Sequence, residues 1–252
     1  QGDSPDYLEG IYRVIKETDP YHPVSMVFME PGKAVEYSAA MDIVMADPYP
    51  VPGGKVSEVS DIADNLMKQF RHDKPLWMVP QAFGGNEWWK REPTGKELSA
   101  MTWLAIAEGA SGIQYFIREG LNGFPKSTAT WSEAGKISLI AGDLGPALLL
   151  GIPEVVVADR DEIKVRAVSF RGELIILAAN SSPEPSLVTL QSIYLEQRTT
   201  AEVEYENRKV KITSNGLEDI IDGYGIRIYR MMMKENISHP EFRNMLADPG
   251  FE

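Results

Sequence analysis

The spacing of apolar residues changes character at Gly151, and that change constrains the fold more than any other feature of the 252-residue chain. Before it, short apolar runs alternate with segments of helical period. Asp6 to Thr18 carries Tyr7, Leu8, Ile11, Tyr12, Val14 and Ile15, an amphipathic helix stripe that stops at Asp19-Pro20. Pro23 to Met29, Asp42 to Ala46, Leu76 to Val79 and Ile113 to Phe116 read as four buried strands. Between the last three, Val59, Ile62, Leu66 and Phe70 recur at helical spacing, and Thr94-x-x-Glu97 is a capping box opening a helix toward Gly109. A last helix spans about Ser132 to Leu149, with Gly151 as its C′ glycine.

Strands alternating with helices predict a parallel sheet with right-handed crossovers. An open doubly wound sheet and half of a (βα)8 barrel both satisfy that pattern. A whole barrel takes about 250 residues, so four units in about 150 match a half. The strand ends carry Glu30, Asp47-Pro-Tyr-Pro, Gln81 and Tyr115-Phe-Ile-Arg118, each leading into a polar or aromatic loop, and barrels place their sites on that face. No glycine-rich phosphate loop follows any strand, which disfavours a nucleotide enzyme.

After Gly151, short alternating or apolar runs are separated by Asp159-Arg-Asp, Arg171-Gly, Pro183-Glu-Pro, Asn215-Gly and Asp222-Gly. That pattern predicts an antiparallel β-sandwich of roughly seven strands. The fold class is therefore α/β: the C-terminal half of a TIM barrel over residues 1–151, an all-β sandwich over 152–232, and a tail over 233–252 leading into a further module. The tail ends Asn244-Met-Leu-Ala-Asp-Pro-Gly-Phe-Glu252, which resembles the opening strand of jelly-roll carbohydrate-binding modules.

With 37 acidic and 25 basic residues the chain carries a formal charge of −12, which disfavours nucleic acid and anionic lipid and suits a neutral or cationic partner, neutral sugars included. There is no cysteine, so disulfides and thiolate chemistry are excluded. His22, His72 and His239 lack ligand spacing, so neither a metal nor another cofactor is expected. No apolar run is long enough for a transmembrane helix. The chain opens without a start Met or an apolar leader, and the expectation is that more of it lies upstream.

Thr18-Asp-Pro-Tyr-His-Pro-Val24, Asp47-Pro-Tyr-Pro50, Gln81-Ala-Phe-Gly84 and Gly112-Ile-Gln-Tyr-Phe116, with Arg91-Glu-Pro-Thr-x-x-Glu97 and Ala105-Ile-Ala-Glu-Gly109 between the last two, resemble the back half of the retaining-type barrel glycoside hydrolases. That resemblance makes the four strands numbers five to eight of a barrel. It places the nucleophile at the end of strand seven and the general acid/base upstream of this chain, on strand four. Gln81 occupies the strand-seven end, and an amide can neither attack an anomeric carbon nor exchange a proton.

Glycoside hydrolysis usually needs two carboxyl groups. Those near the expected face are Glu30, Asp47, Glu87 and Glu119; Asp47, between a strand end and a proline-stiffened loop, and Glu87 are the catalytic candidates. Glu30, Tyr49, Gln81, Trp88, Trp89, Tyr115, Arg118 and Trp131 are the candidate substrate-binding residues, since sugar C–H faces stack on aromatic rings while hydroxyls need polar partners. Trp77 and Trp103 suit packing. The expected function is a secreted, extracellular glycoside hydrolase-like protein acting on or binding a polysaccharide; the alternative is a catalytically inactive glycan-binding or structural module of an extracellular assembly. A half-barrel exposes two unpaired strand edges, so a covering partner is expected, either the N-terminal half-barrel or another chain.

Overall fold

The structure is a computed structural model, and it describes residues 4–70, 73–85, 87–116, 127–196 and 198–233. Arg118, Glu119, His72, His239 and the tail over 234–252 lie outside the described residues.

The first half alternates as its periodicity predicts. Helix α1 (Pro5–Thr18) is followed by β1 (Ser25–Phe28), a 3-10 stretch (Pro31–Ala40), β2 (Ile43–Ala46), α2 (Glu58–Phe70), β3 (Leu76–Met78), α3 (Gly95–Ala107), β4 (Gly112–Ile113) and α4 (Thr128–Leu150). The strands form one sheet in the order β1-β2-β3-β4, every pair parallel. Consecutive order without reversal is the arrangement of a barrel wall; a doubly wound sheet turns back at a switch point.

Alternate residues divide the sheet's faces. Val44, Ala46, Leu76 and Met78 face the helix layer, joining Leu66 of α2, Trp103 and Leu104 of α3 and Leu144 of α4 in one core. Ile43, Met45 and Val79 cluster on the opposite, inner face. Beside them Trp77 lies flat over Gly112, where any Cβ would meet its indole at 2.5 Å. Val27, also on the inner face, is 53% exposed. None of α1 is buried, and Asp42 fastens it, accepting from the Tyr12 hydroxyl at 2.8 Å and the Val24 amide at 2.8 Å.

Among the described residues nine strands follow: β5 (Ile152–Glu154), β6 (Val157–Ala158), β7 (Ile163–Phe170), β8 (Glu173–Asn180), β9 (Ser186–Gln191), β10 (Thr200–Val203), β11 (Arg208–Thr213), β12 (Gly216–Ile221) and β13 (Ile226–Met232). Their order is β5-β7-β8-β13-β10-β11-β12-β9-β6, with all pairings antiparallel. Because β5 and β6 are neighbours in sequence yet stand at opposite ends of that order, the sheet curls until its ends meet. The continuous apolar run Leu174–Ala179 is explained by burial on both faces of β8: Leu174, Ile176 and Ala178 enter the sandwich core, while Ile175, Leu177 and Ala179 pack on the helix layer.

Arg166 of β7 joins the two halves. Its guanidinium donates to the carbonyls of Ile106 (3.0 Å), Ala110 (3.3 Å) and Leu148 (2.7 Å), so one cation reaches carbonyls at or just past the C-terminal ends of both α3 and α4.

Four expectations are corrected. The expected seven strands are nine, because Gly216–Ile221 pairs as β12 and the run at 154–158 splits into β5 and β6. β4 ends at Ile113, so Tyr115 and Phe116 follow the strand. The crossover from β1 to β2 is a 3-10 stretch, where no helix was expected. Gly151 is extended at φ −73, not left-handed; glycine is needed there because a Cβ would meet the Ala147 carbonyl oxygen at 2.4 Å. No helix among the described residues is long and apolar enough to cross a membrane.

Candidate functional site

The C-terminal ends of β2, β3 and β4 gather an aromatic cluster. Tyr49 meets Phe83 edge-on at 4.8 Å between ring centroids, Trp89 at 5.5 Å and Phe116 at 6.2 Å. Phe83 closes the group, 5.1 Å from Trp89 and 5.5 Å from Phe116. Phe83 is fully buried, whereas Phe116 is 43% exposed, so the cluster has a floor and an open side.

Asp47, one residue beyond β2, enters this setting half-buried. Burial holds its carboxyl above the usual aspartate range, opposed in part by the nearby Tyr49 hydroxyl. The same burial, reinforced by the negative charge of Asp47, raises the Tyr49 phenol far above its ordinary value. Although the two groups are close, neither Asp47 Oδ1 nor the Tyr49 hydroxyl completes a well-aligned hydrogen bond among the described residues. Two solvent-shielded polar atoms without partners are an exception that calls for an explanation, and a ligand hydroxyl is one.

Gln81 lies three residues beyond the end of β3 and is fully buried. Its Oε1 accepts from the Val51 amide at 2.8 Å, and its Nε2 donates to the carbonyls of Val51 (2.8 Å) and Phe83 (3.1 Å). Both donors are thereby committed to backbone, and the side chain works as a brace holding the 47–52 loop against β3.

The segment after β3 is shaped by close packing. A Cβ at Gly84 would stand 2.1 Å from the Arg91 carbonyl oxygen, so only glycine permits that approach. The Gly85 amide closes a turn on the Trp89 carbonyl at 2.7 Å, and Trp89 Nε1 donates to the Tyr49 carbonyl at 3.0 Å. Arg91 then grips Glu97 with two hydrogen bonds of 2.7 and 2.8 Å. The capping box is present as predicted, Thr94 and Glu97 each accepting the other's backbone amide.

The structure therefore brings together Asp47, Tyr49 and Trp89, with Gln81 beneath them. Glu30 lies exposed two residues beyond Phe28, whose strand partner is Ala46, so it shares the face with Asp47. Glu87 and Trp88 are exposed on the 85–89 turn, and Trp131 is exposed in the first turn of α4. Tyr115 stands apart: its hydroxyl pairs with Thr102 of α3 at 2.8 Å, it faces the helix layer, and burial pushes its pKa up to about 12. Phe83 was not foreseen as part of the site. Its only signal was a place in the Gln81-Ala-Phe-Gly84 phrase. Among the described residues no group of three or more His, Asp or Glu is placed to hold a metal.

Residues 4–123 match a family model described as beta-galactosidase, Glyco_hydro_42. No curated protein sequence matches significantly. Among solved structures, an alpha-amylase from Anoxybacillus is similar at 15% identity and a TM-score of 0.63, over 91% of this chain and 56% of that one. The alpha-amylase of Geobacillus thermoleovorans, complexed with acarbose, gives 12% and 0.62 over 91% and 57%. A GH30 endoxylanase from Clostridium papyrosolvens gives 16% and 0.50 over 91% and 61%. At these identities the likeness concerns the fold, and the chain spans little more than half of the two amylases. The chain has the architecture of the C-terminal half of a glycoside hydrolase-like (βα)8 barrel with a β-rich unit after it.

Proposed function

We propose that this chain supplies half of a carbohydrate site on the C-terminal face of a glycoside hydrolase-like barrel, in a secreted protein that acts on or binds a polysaccharide. The observation that carries the reading is a pair of shielded oxygens, Asp47 Oδ1 and the Tyr49 hydroxyl, that lie close to one another, complete no well-aligned hydrogen bond among the described residues and are set against aromatic rings. A sugar presents vicinal hydroxyls beside apolar C–H faces, which is the complement of that pair and of the Phe116 and Trp89 rings. Val27 and Trp77 on the inner sheet face support a covering partner: the upstream half-barrel, which in a hydrolytic role also brings the general acid/base. Asp47 is then the carboxyl group of this chain best suited to the reaction, with Glu87 farther out on its turn. Residues 1–151 and 152–232 are the two units of this architecture, the second bracing the first through Arg166.

A second reading is a glycan-binding module without turnover. Gln81 favours it, because the side chain at the strand-seven end is an amide already committed to backbone. Both readings are tested by titrating full-length protein with neutral and acidic glycans while assaying hydrolysis. Binding that falls at least about tenfold in Asp47→Asn supports the site, about 1.4 kcal/mol. Turnover of a bound glycan selects the enzyme, and binding without turnover selects the module. No binding by any glycan overturns both.

A further inference from the structure

The turn from β12 to β13 belongs to the β-rich unit, and it is fastened along its length. Asn180, fully buried at the end of β8, donates through Nδ2 to the carbonyls of Glu184 (2.9 Å), Ile221 (3.2 Å) and Asp222 (3.2 Å). Its Oδ1 accepts from the Ser182 amide at 2.9 Å. The Tyr224 amide donates to the Ser182 carbonyl at 2.8 Å, and the Asn180 amide donates to the Gly225 carbonyl at 2.9 Å. Gly223 passes so near the Pro183 carbonyl that any Cβ there would collide with it. This clamp holds Tyr224 at φ 56. That left-handed conformation suits glycine and is uncommon for a bulky residue, yet the sequence sets tyrosine there between Gly223 and Gly225. Such an outlier persists where its surroundings over-determine it, and it points to the task of the side chain so held. The Tyr224 ring packs on the helix-layer core, across the boundary from its own sheet. Burial raises its phenol above the ordinary tyrosine range; the Glu97 charge adds to that and the Arg91 charge opposes it, which puts the ring within reach of the Arg91–Glu97 pair. The Arg91 carbonyl in turn meets Gly84, where the turn carrying Trp89 begins, and Trp89 Nε1 donates to the Tyr49 carbonyl. A chain of packed groups thus leads from Tyr224 through Arg91 to the aromatic wall of the pocket.

We propose that Tyr224 is a positioning residue for the pocket: lodged by the β-rich unit against the barrel beside Arg91 and Glu97, it keeps the turn closed by Gly85 and Trp89 in the pose that sets the Trp89 ring against Tyr49. The part this turn plays in holding sugar rests on the carbohydrate reading of the pocket. The support that Tyr224 gives the turn does not, so the two are read by separate measurements.

The test uses the full-length protein and its Tyr224→Gly, Tyr224→Phe and Arg91→Met variants, with the Tyr224→Gly/Arg91→Met pair. Tyr224→Gly keeps the left-handed backbone and removes only the ring. The first measurement is hydrogen exchange without ligand. Tyr224→Gly is expected to speed exchange of the Gly85 amide by about tenfold or more while the amides of β8 stay as slow as in the native protein, and Tyr224→Phe is expected to restore the native rate. The second is calorimetric titration with cello-, xylo-, manno-, malto- and galacto-oligosaccharides. For a glycan that the native protein binds, Tyr224→Gly should weaken binding by about fivefold or more, Tyr224→Phe should recover it, and the double variant should bind no worse than the weaker single one. Unchanged Gly85 exchange overturns the proposal. So does faster exchange shared by the turn and β8, which makes the ring ordinary packing, and so do losses in affinity that simply add, which take Arg91 out of the path. Faster Gly85 exchange with native glycan affinity leaves the pocket standing and removes Tyr224 from its service. If no glycan binds, the pocket reading falls, while selective exchange at Gly85 still upholds the support of the turn.

Discussion

A carboxyl group withdrawn from water holds its proton to higher pH, and Asp47 is in that position because the proline-framed loop after β2 folds it against Tyr49. Its folded pKa lies above the unfolded value of 3.8, so its contribution to stability is fully present below that value and is lost as pH rises through the folded pKa. Asp47→Asn should therefore match the native protein in thermal stability near about pH 4 and exceed it near about pH 8, while binding sugar less well. Melting curves at both pH values, with one glycan titration, check this. Glu97 has the opposite sign. The Arg91 guanidinium holds it below its ordinary range, so its stabilisation is present above the unfolded value of 4.5 and lost as pH falls. Glu97→Gln is expected to lose about 1 kcal/mol at neutral pH, read by chemical denaturation, and almost nothing in acid. The sequence pointed to Asp47, Tyr49 and Trp89 through their places after strands. It could not say whether the Gln81 amide meets solvent or backbone, since that depends on Val51, thirty residues earlier in the chain.

Elements were more legible than their ends. The Thr94/Glu97 box located the start of α3, because capping is decided within four residues. The 3-10 stretch at Pro31–Ala40 was not legible: its Ala-rich, weakly periodic sequence takes its form from packing on α1 and α2. β12 was hidden because Leu217, Glu218, Asp219 and Ile220 do not alternate cleanly; strand form follows from pairing with β9, where Ile220 faces Leu187. The Trp88 turn is set by glycine at a contact point, and it yields a prediction at this scale. Gly84→Ala places a methyl group 2.1 Å from the Arg91 carbonyl oxygen, so the turn must shift at an expected cost of about 1–3 kcal/mol. The variant should melt lower and bind glycan less well, because Trp89 on the same turn is part of the pocket.

At the scale of the whole molecule, the barrel helices and the curled sheet share a core through β7, β8 and β13. Arg166 caps two helices from across that boundary. Replacing it with Met keeps most of the aliphatic bulk but leaves three carbonyls without their cation. The expected loss is about 3 kcal/mol, with both halves unfolding in one transition; two separate transitions would deny the coupling. The change of pattern at Gly151 made the two-part layout readable, yet nothing in local periodicity announced that the second part supports the first. The strand order carries a consequence for synthesis. β13, the last of the described strands to leave a ribosome, belongs in the middle of the sheet between β8 and β10. Until it arrives, the nascent chain holds two separate ribbons, β5-β7-β8 and β10-β11-β12-β9-β6, and α3 and α4 lack Ile228 in their cover. A chain stalled before residue 226 should therefore be open to proteases across residues 152–225, and release of β13 should close that sheet.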